Sequence, residues 1–248
     1  MPRHTTITRD QDVLKRHLPT RWRIGRALLN TLLSAAGFAV CVLVPAGAWT
    51  WWRGWLLVLV FVIVHVFGTI RIVRFNPDLL PERARMRPGP GQPIADKVLL
   101  GAFKLTYAMM LIVSAADGSR LHVWPGPGKA VSWVGLVMFA SGWWLVLRAL
   151  ETNAFAVRVV RHQPERGHRI VDVGVYRVVR HPMYAGLVGV MIGVPVWLGS
   201  TLGLLLAAAP IGVLAVRILV EERVLREHVS GYVEYTQRVR KRLVPGVW

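Results

Sequence analysis

The chain has 248 residues, 54% of them hydrophobic, with 31 Lys and Arg against 13 Asp and Glu for a net charge of +18, and a single cysteine. Soluble domains are less apolar, roughly 45–50%, and spread their apolar residues periodically instead of in blocks, so an ordinary soluble domain is excluded. A mean hydropathy of +0.43 on so basic a chain points to a membrane. Nucleic acid is set aside, because the arginines stand between long apolar runs, where they meet phospholipid headgroups. Cys41, alone, excludes an internal disulfide framework and a multi-cysteine metal site.

Taken in chain order, six apolar segments are long enough, at about 1.5 Å per residue, to cross roughly 30 Å of hydrocarbon: 28–48, 55–72, 98–116, 131–147, 183–199 and 202–219. The last pair is joined by Gly199, Ser200 and Thr201, which predicts a tight hairpin. Lys and Arg number seven before the first segment, then one, six, two, seven and none in the successive connections, and six in the tail. High and low values alternate, which places both termini and the two long loops in the cytoplasm. The triplet Ala46, Gly47, Ala48 is similar to a signal-peptidase site, but the preceding apolar run and its basic flank are too long, and the first helix is expected to stay uncleaved.

The fold class expected is an all-α integral membrane protein. It comprises a basic cytoplasmic segment (1–27), four transmembrane helices with a cytoplasmic loop at 73–97 (28–150), and a C-terminal part (151–248) with two more helices and a tail. Two Pro- and Gly-rich stretches, 87–93 and 124–128, read as linkers. Gly186, Gly189 and Gly193 mark one face of the fifth segment for close helix packing. Beyond the last segment, Val220, Val224, Leu225, His228, Val229, Tyr232, Tyr235 and Val239 recur at three- and four-residue spacing. That is an amphipathic helix, broken near Gly231, lying at the cytoplasmic surface.

Polar chemistry concentrates in two places. His168, Tyr176, His181 and Tyr184 fall within 17 residues at the entrance to the fifth segment. Topology explains Arg177 and Arg180, and Pro182 suits a first helical turn, but neither explains two His and two Tyr at the membrane surface. Arg217 and Glu221 are four apart and share a helix face, with Glu222 offset. Spacing leaves open whether they form an ion pair at the helix exit or a functional site. His65 and Thr69, one turn apart inside the second segment, are expected to hydrogen-bond a neighbouring helix. The Trp49, Trp51, Trp52 and Trp55 cluster reads as an aromatic belt, and the eight His residues give no helical metal-binding pattern.

The run from His168 through Tyr176 to Arg180-His-Pro-Met-Tyr184-Ala-Gly186 resembles the core motif of the isoprenylcysteine carboxyl methyltransferase family and the related membrane phospholipid methyltransferases. That motif reads His-x-Leu-Val-Thr-x-Gly-x-Tyr, followed by Arg-His-Pro-x-Tyr-x-Gly. The resemblance continues through Arg217, Glu221, Glu222 and Leu225, then Gly231, Tyr232, Tyr235 and Pro245, and so covers about residues 153–245. The segment 76–85 looks like one common in bacterial members, which implies an inner membrane. Departures are Ile170, Asp172, Met183 and His228.

The resemblance implies a methyltransferase core at 151–248 that uses S-adenosylmethionine. The donor contacts would come from His168, Arg169, Ile170, Val171, Tyr176, His181, Pro182, Met183, Tyr184 and Glu221, with Glu222 as a neighbour. An upstream glutamine of the family maps onto Arg161 or Gln163. Arg217 and Glu221 would be the catalytic pair, Arg217 facing the acceptor. A cationic sulfonium calls for the carboxylate of Glu221 and the rings of Tyr176 and Tyr184. An acceptor carboxylate is nucleophilic at neutral pH, so positioning and exclusion of water suffice. The acceptor is expected to be a lipophilic or prenylated molecule within membrane lipid. The alternatives are an NADPH-dependent membrane sterol or steroid reductase of related fold, which carries Arg-His-Pro-Asn-Tyr, and a non-catalytic membrane scaffold.

Overall fold

The computed structural model describes residues 20–76, 79, 94–156, 169–244, 246 and 248. Eight α-helices stand out among them: α1 (Thr20–Ala46), α2 (Trp52–Phe75), α3 (Ile94–Ala116), α4 (Lys129–Thr152), α5 (Pro182–Leu198), α6 (Thr201–Leu206), α7 (Ala208–His228) and α8 (Tyr232–Arg238). A π-helical turn (Asp117–Leu121) follows α3, and a 3-10 turn (Gly174–Arg177) precedes α5. Five stretches are long and apolar enough to cross a membrane, namely α1 to α4 and the continuous α6–α7 rod.

The 183–199 segment forms α5, the shortest of the long apolar helices. Helix α5 has only 17 residues, and eleven of them are buried. Neighbouring helices cover most of its side chains, so it carries no polar face. Its length is set by Pro182 at the first turn and by Gly199, whose φ of 78° ends the helix. The hairpin follows as expected, with Ser200 capping α6 by accepting from the Gly203 amide at 2.8 Å.

Antiparallel packing is closest between α4 and α5. A methyl group added at Gly142 would sit 2.5 Å from the Gly186 carbonyl oxygen, and one at Gly193 would sit 2.6 Å from that of Gly135. Both pairs repeat every seven residues, so the two backbones touch along two full turns. Phe38 stacks on Phe61 between α1 and α2 at 4.1 Å. Thr69 meets its neighbouring helix as expected, its hydroxyl 2.8 Å from that of Thr31. His65 turns its Nδ1 to the Phe61 carbonyl of its own helix, 3.0 Å away, and its ring onto Phe61 and onto Trp143 of α4.

The end of the bundle away from the site carries the cluster from Trp49 to Trp55. Trp49, Trp52 and Trp55 are exposed as a belt requires, while Trp52 packs edge-on against the fully buried Trp197. Here Asp117 accepts from the Ser200 hydroxyl at 2.6 Å and from the Val123 amide at 2.8 Å. The 124–128 stretch is no free linker. Thr201 donates to the Pro125 carbonyl at 2.7 Å, and Gly126 lies so close under the Gly199 carbonyl that no side chain fits. The other Pro- and Gly-rich stretch, 87–93, lies outside the described residues.

Candidate active site

At the opposite end, α2 and α4 finish side by side. Asn76 donates to the carbonyls of Leu150 and Glu151 at 2.9 and 2.7 Å, and Arg71 binds the Glu151 carboxylate through two nitrogens. This anchors the chain where it leaves α4. Asn153 then accepts from the Phe155 amide at 2.8 Å, a turn that directs Phe155 and Ala156 inward.

The entry to α5 is held by the tail. The amides of Arg180 and His181 donate to the carbonyls of Lys241 and Arg242 at 2.9 and 3.0 Å. The Arg180 guanidinium donates to the carbonyls of Val239 and Arg240 at 2.7 and 2.8 Å and to Glu222 at 2.8 Å. Glu222, only 2% exposed, also receives His181, Arg226 and Arg242, each at 3.2 Å. One carboxylate thus gathers α5, α7 and the segment after α8. On the other side of the tail, the Tyr235 hydroxyl donates to the Tyr176 carbonyl at 2.8 Å and pins the 3-10 turn. Burial pushes the Tyr235 phenol well above its ordinary pKa, so it stays protonated as that donor.

Between these fixed parts lies a pocket with about 850 Å³ of empty space, part of it open to the exterior. Its walls include Arg169, Ile170, Val171, Tyr176, His181, Met183, Tyr184, Arg217 and Glu221, residues far apart in sequence and proposed as site residues from it. The Tyr184 hydroxyl donates to Glu221 at 2.5 Å, and the Arg217 guanidinium carbon lies 5.9 Å from the centre of the Tyr184 ring. Tyr184 therefore separates a carboxylate from a cation within one cavity.

Four sequence-based expectations need restating. Pro182 is buried at the start of α5 and does not line the pocket. Glu222 is likewise turned into the Arg180 and His181 network instead of the cavity, because those two share one of its oxygens and Arg226 and Arg242 the other. Arg180, which topology alone had explained, is 7% exposed and is the tail's main clasp. The open question of the Arg217 and Glu221 pair is answered by other partners: Arg217 donates to Asp96 at 2.8 Å, and Glu221 takes Tyr184. His168, Arg161 and Gln163 lie outside the described residues.

The sequence reading missed Asp96, fully buried in the first turn of α3, and gave the pocket residues Asn153, Phe155, Ala156, Val224, Tyr232 and Tyr235 no place in a cavity. Tyr232 and Tyr235 carried a signal, the Tyr-x-x-Tyr spacing on the amphipathic face. Asp96 carried none, being 121 residues from its partner.

Comparison with known proteins agrees with this architecture. A phospholipid methyltransferase family model matches residues 130–230. Protein-S-isoprenylcysteine O-methyltransferase B from Arabidopsis thaliana is 29% identical over 159 residues, covering 58% of this chain and 78% of the relative. The solved structure of a eukaryotic intramembrane Ras methyltransferase, an isoprenylcysteine carboxyl methyltransferase, superposes with a TM-score of 0.50 at 20% identity, covering 79% of this chain and 75% of that one, a likeness of fold. With five stretches long and apolar enough to cross a membrane and the Arg180-to-Tyr184 motif built into a pocket, the chain is a multi-pass membrane protein similar to the membrane methyltransferases of the isoprenylcysteine carboxyl methyltransferase type.

Proposed function

We propose that the chain transfers a methyl group from S-adenosylmethionine to the carboxylate of a lipophilic, isoprenylcysteine-type acceptor at the cytoplasmic face of a bacterial inner membrane, with both termini in the cytoplasm. The observation that carries this reading is a single pocket lined by Arg217, Glu221 and Tyr184, a cation and an anion on either side of an aromatic ring. Bound there, the donor supplies a methyl group on a sulfonium sulfur, whose release leaves a neutral thioether.

The chain's own residues do the rest. Glu221 and the faces of Tyr184 and Tyr176 offset the sulfonium charge in a protein of net charge +18. Arg217, 6% exposed, orients an acceptor carboxylate through charge-assisted hydrogen bonds. Asn153, Phe155 and Ala156 on one side and Tyr232 and Tyr235 on the other limit water, which raises the value of every charge inside. His168, with Arg161 or Gln163, would add further donor contacts, and residues 151–248 form the core of the enzyme.

Thermal stabilisation of the detergent-purified protein tests the donor: S-adenosylhomocysteine raises the unfolding temperature and NADPH does not, and the reverse result would move the protein to the reductases. Labelled methyl transfer to an N-acetyl-S-farnesylcysteine probe tests the acceptor, since a carboxyl methyl ester releases labelled methanol in base and an N-methyl group does not. A second reading, methylation of a phospholipid amine, is favoured by the family model that matches residues 130–230. It predicts base-stable label on phosphatidylethanolamine.

A further inference from the structure

Arg217 on α7 stands in the pocket wall, whereas Asp96, in the first turn of α3, is fully buried behind that wall and does not line the cavity. The two are joined at one defined point: the Arg217 Nε donates to an Asp96 carboxylate oxygen at 2.8 Å. An arginine stem has several rotatable bonds, and a guanidinium at a cavity wall can point in as many directions as they allow. Nε is where the planar group meets that stem. A bond made there fixes the plane of the guanidinium and the direction in which its fork points.

The aromatic neighbour narrows the geometry further. The Arg217 guanidinium carbon lies 5.9 Å from the centre of the Tyr184 ring, and the Tyr184 hydroxyl hydrogen-bonds Glu221, one turn farther along α7. Contacts from α3 and α5 thus converge on a side chain that α7 carries. Asp96 also answers part of the Arg217 charge within the protein. A buried guanidinium without that counter-ion would draw in a carboxylate strongly in any orientation, and such binding does nothing for the rate of the chemical step.

We propose that Asp96 is a positioning residue for methyl transfer: through the Nε of Arg217 it sets the plane of the guanidinium, and with it the line along which an acceptor carboxylate meets the methyl group. This rests on the reading of Arg217 as the group that orients that carboxylate. It makes the first turn of α3, 121 residues away in sequence from Arg217, part of the reacting geometry.

The test is Asp96→Asn in the full-length, detergent-purified protein, since the amide keeps the shape and an oxygen for Nε but not the charge. For methyl transfer to N-acetyl-S-farnesylcysteine, kcat is expected to fall about tenfold or more without a rise in the acceptor KM, while S-adenosylhomocysteine affinity by calorimetry stays within about twofold. In an Arg217→Lys background the same substitution is expected to cost less than about twofold more, because the fork that Asp96 aims is already gone. Asp96→Glu keeps the charge and displaces the oxygens, and is expected to lower kcat with donor affinity retained; it decides the matter if Asp96→Asn does not fold. A wild-type kcat in either folded variant, measured below its unfolding temperature, overturns the proposal and leaves the pair purely structural. A parallel loss of donor affinity, the sign of a deformed pocket, also overturns it, as does a full multiplicative loss in the double variant. Wild-type protein that binds S-adenosylhomocysteine yet does not methylate N-acetyl-S-farnesylcysteine would overturn the acceptor reading, and the proposal with it, an outcome visible in wild type alone.

Discussion

Arg217 on α7 and Asp96 in the first turn of α3 form an ion pair at 2.8 Å with exposures of 6% and 0%. Both charges are almost wholly buried, so each is stabilised by the other. Removing one partner of such a pair costs about 3–5 kcal/mol, because the remaining charge is left uncompensated. Asp96→Ala is therefore expected to lower the unfolding temperature sharply, and Asp96→Asn less so, since it keeps an acceptor for the Arg217 Nε. Equal unfolding temperatures for wild type and Asp96→Ala in differential scanning fluorimetry would show that the pair holds nothing together.

The same guanidinium lines the pocket, where a planar fork matters more than charge. Arg217→Lys is expected to reduce methyl transfer by more than tenfold while donor affinity stays within about twofold, the signature of a lost acceptor contact. Glu221→Ala is expected to do the opposite and weaken S-adenosylhomocysteine binding. Equal donor affinity in wild type and Glu221→Ala would remove Glu221 from the donor site.

Glycines separate two kinds of position. Gly142→Ala places a methyl group 2.5 Å from the Gly186 carbonyl oxygen and must push α4 from α5, whereas a methyl group at Gly212 meets nothing within 4 Å. Overpacking of this sort costs about 1–3 kcal/mol. Because α5 carries His181, Met183 and Tyr184 into the pocket, Gly142→Ala is expected to lower both stability and donor affinity, with Gly212→Ala as the silent control. Titration with S-adenosylhomocysteine after each substitution distinguishes the two.

At the far end, Ser200→Ala deprives the Asp117 carboxylate of its hydroxyl partner and α6 of its cap. A stability loss of roughly 1–3 kcal/mol is expected from the two together. Donor affinity should not move, because neither residue approaches the pocket. A matching loss of S-adenosylhomocysteine binding would reveal coupling along α5 between the two ends.

What the sequence made legible follows from periodicity and local chemistry. Blocks of apolar residues located the helices, Gly199 and Ser200 the hairpin, Gly231 the break before α8, and the clustered His and Tyr residues the entrance to the pocket. Pairings over long separations were not legible, because spacing along one helix says nothing about a partner on another. The four-residue spacing of Arg217 and Glu221 left an ion pair and a functional site equally open, because it could not show Asp96 beside the one and Tyr184 beside the other. Arg180 looked like a topology charge because a cytoplasmic arginine and a buried clasp have the same sequence surroundings. The 124–128 stretch looked like a linker because turn residues report local geometry and not what the turn packs against.

The backbone contact between α4 and α5 has a consequence for ligand traffic. Two helices that meet through glycine have no side chains to rotate aside and no slack to take up, so they behave as one rigid plate with the α5 entrance fixed to it. Helices α7 and α8 meet that plate through long side chains, chiefly Tyr184 to Glu221, Arg180 to Glu222 and Tyr235 to Tyr176. Such contacts can exchange partners without parting two backbones. The segment after α8 is tied to the α5 entrance by backbone bonds, so any widening of the pocket is expected along α7, where the contacts to that plate run through side chains.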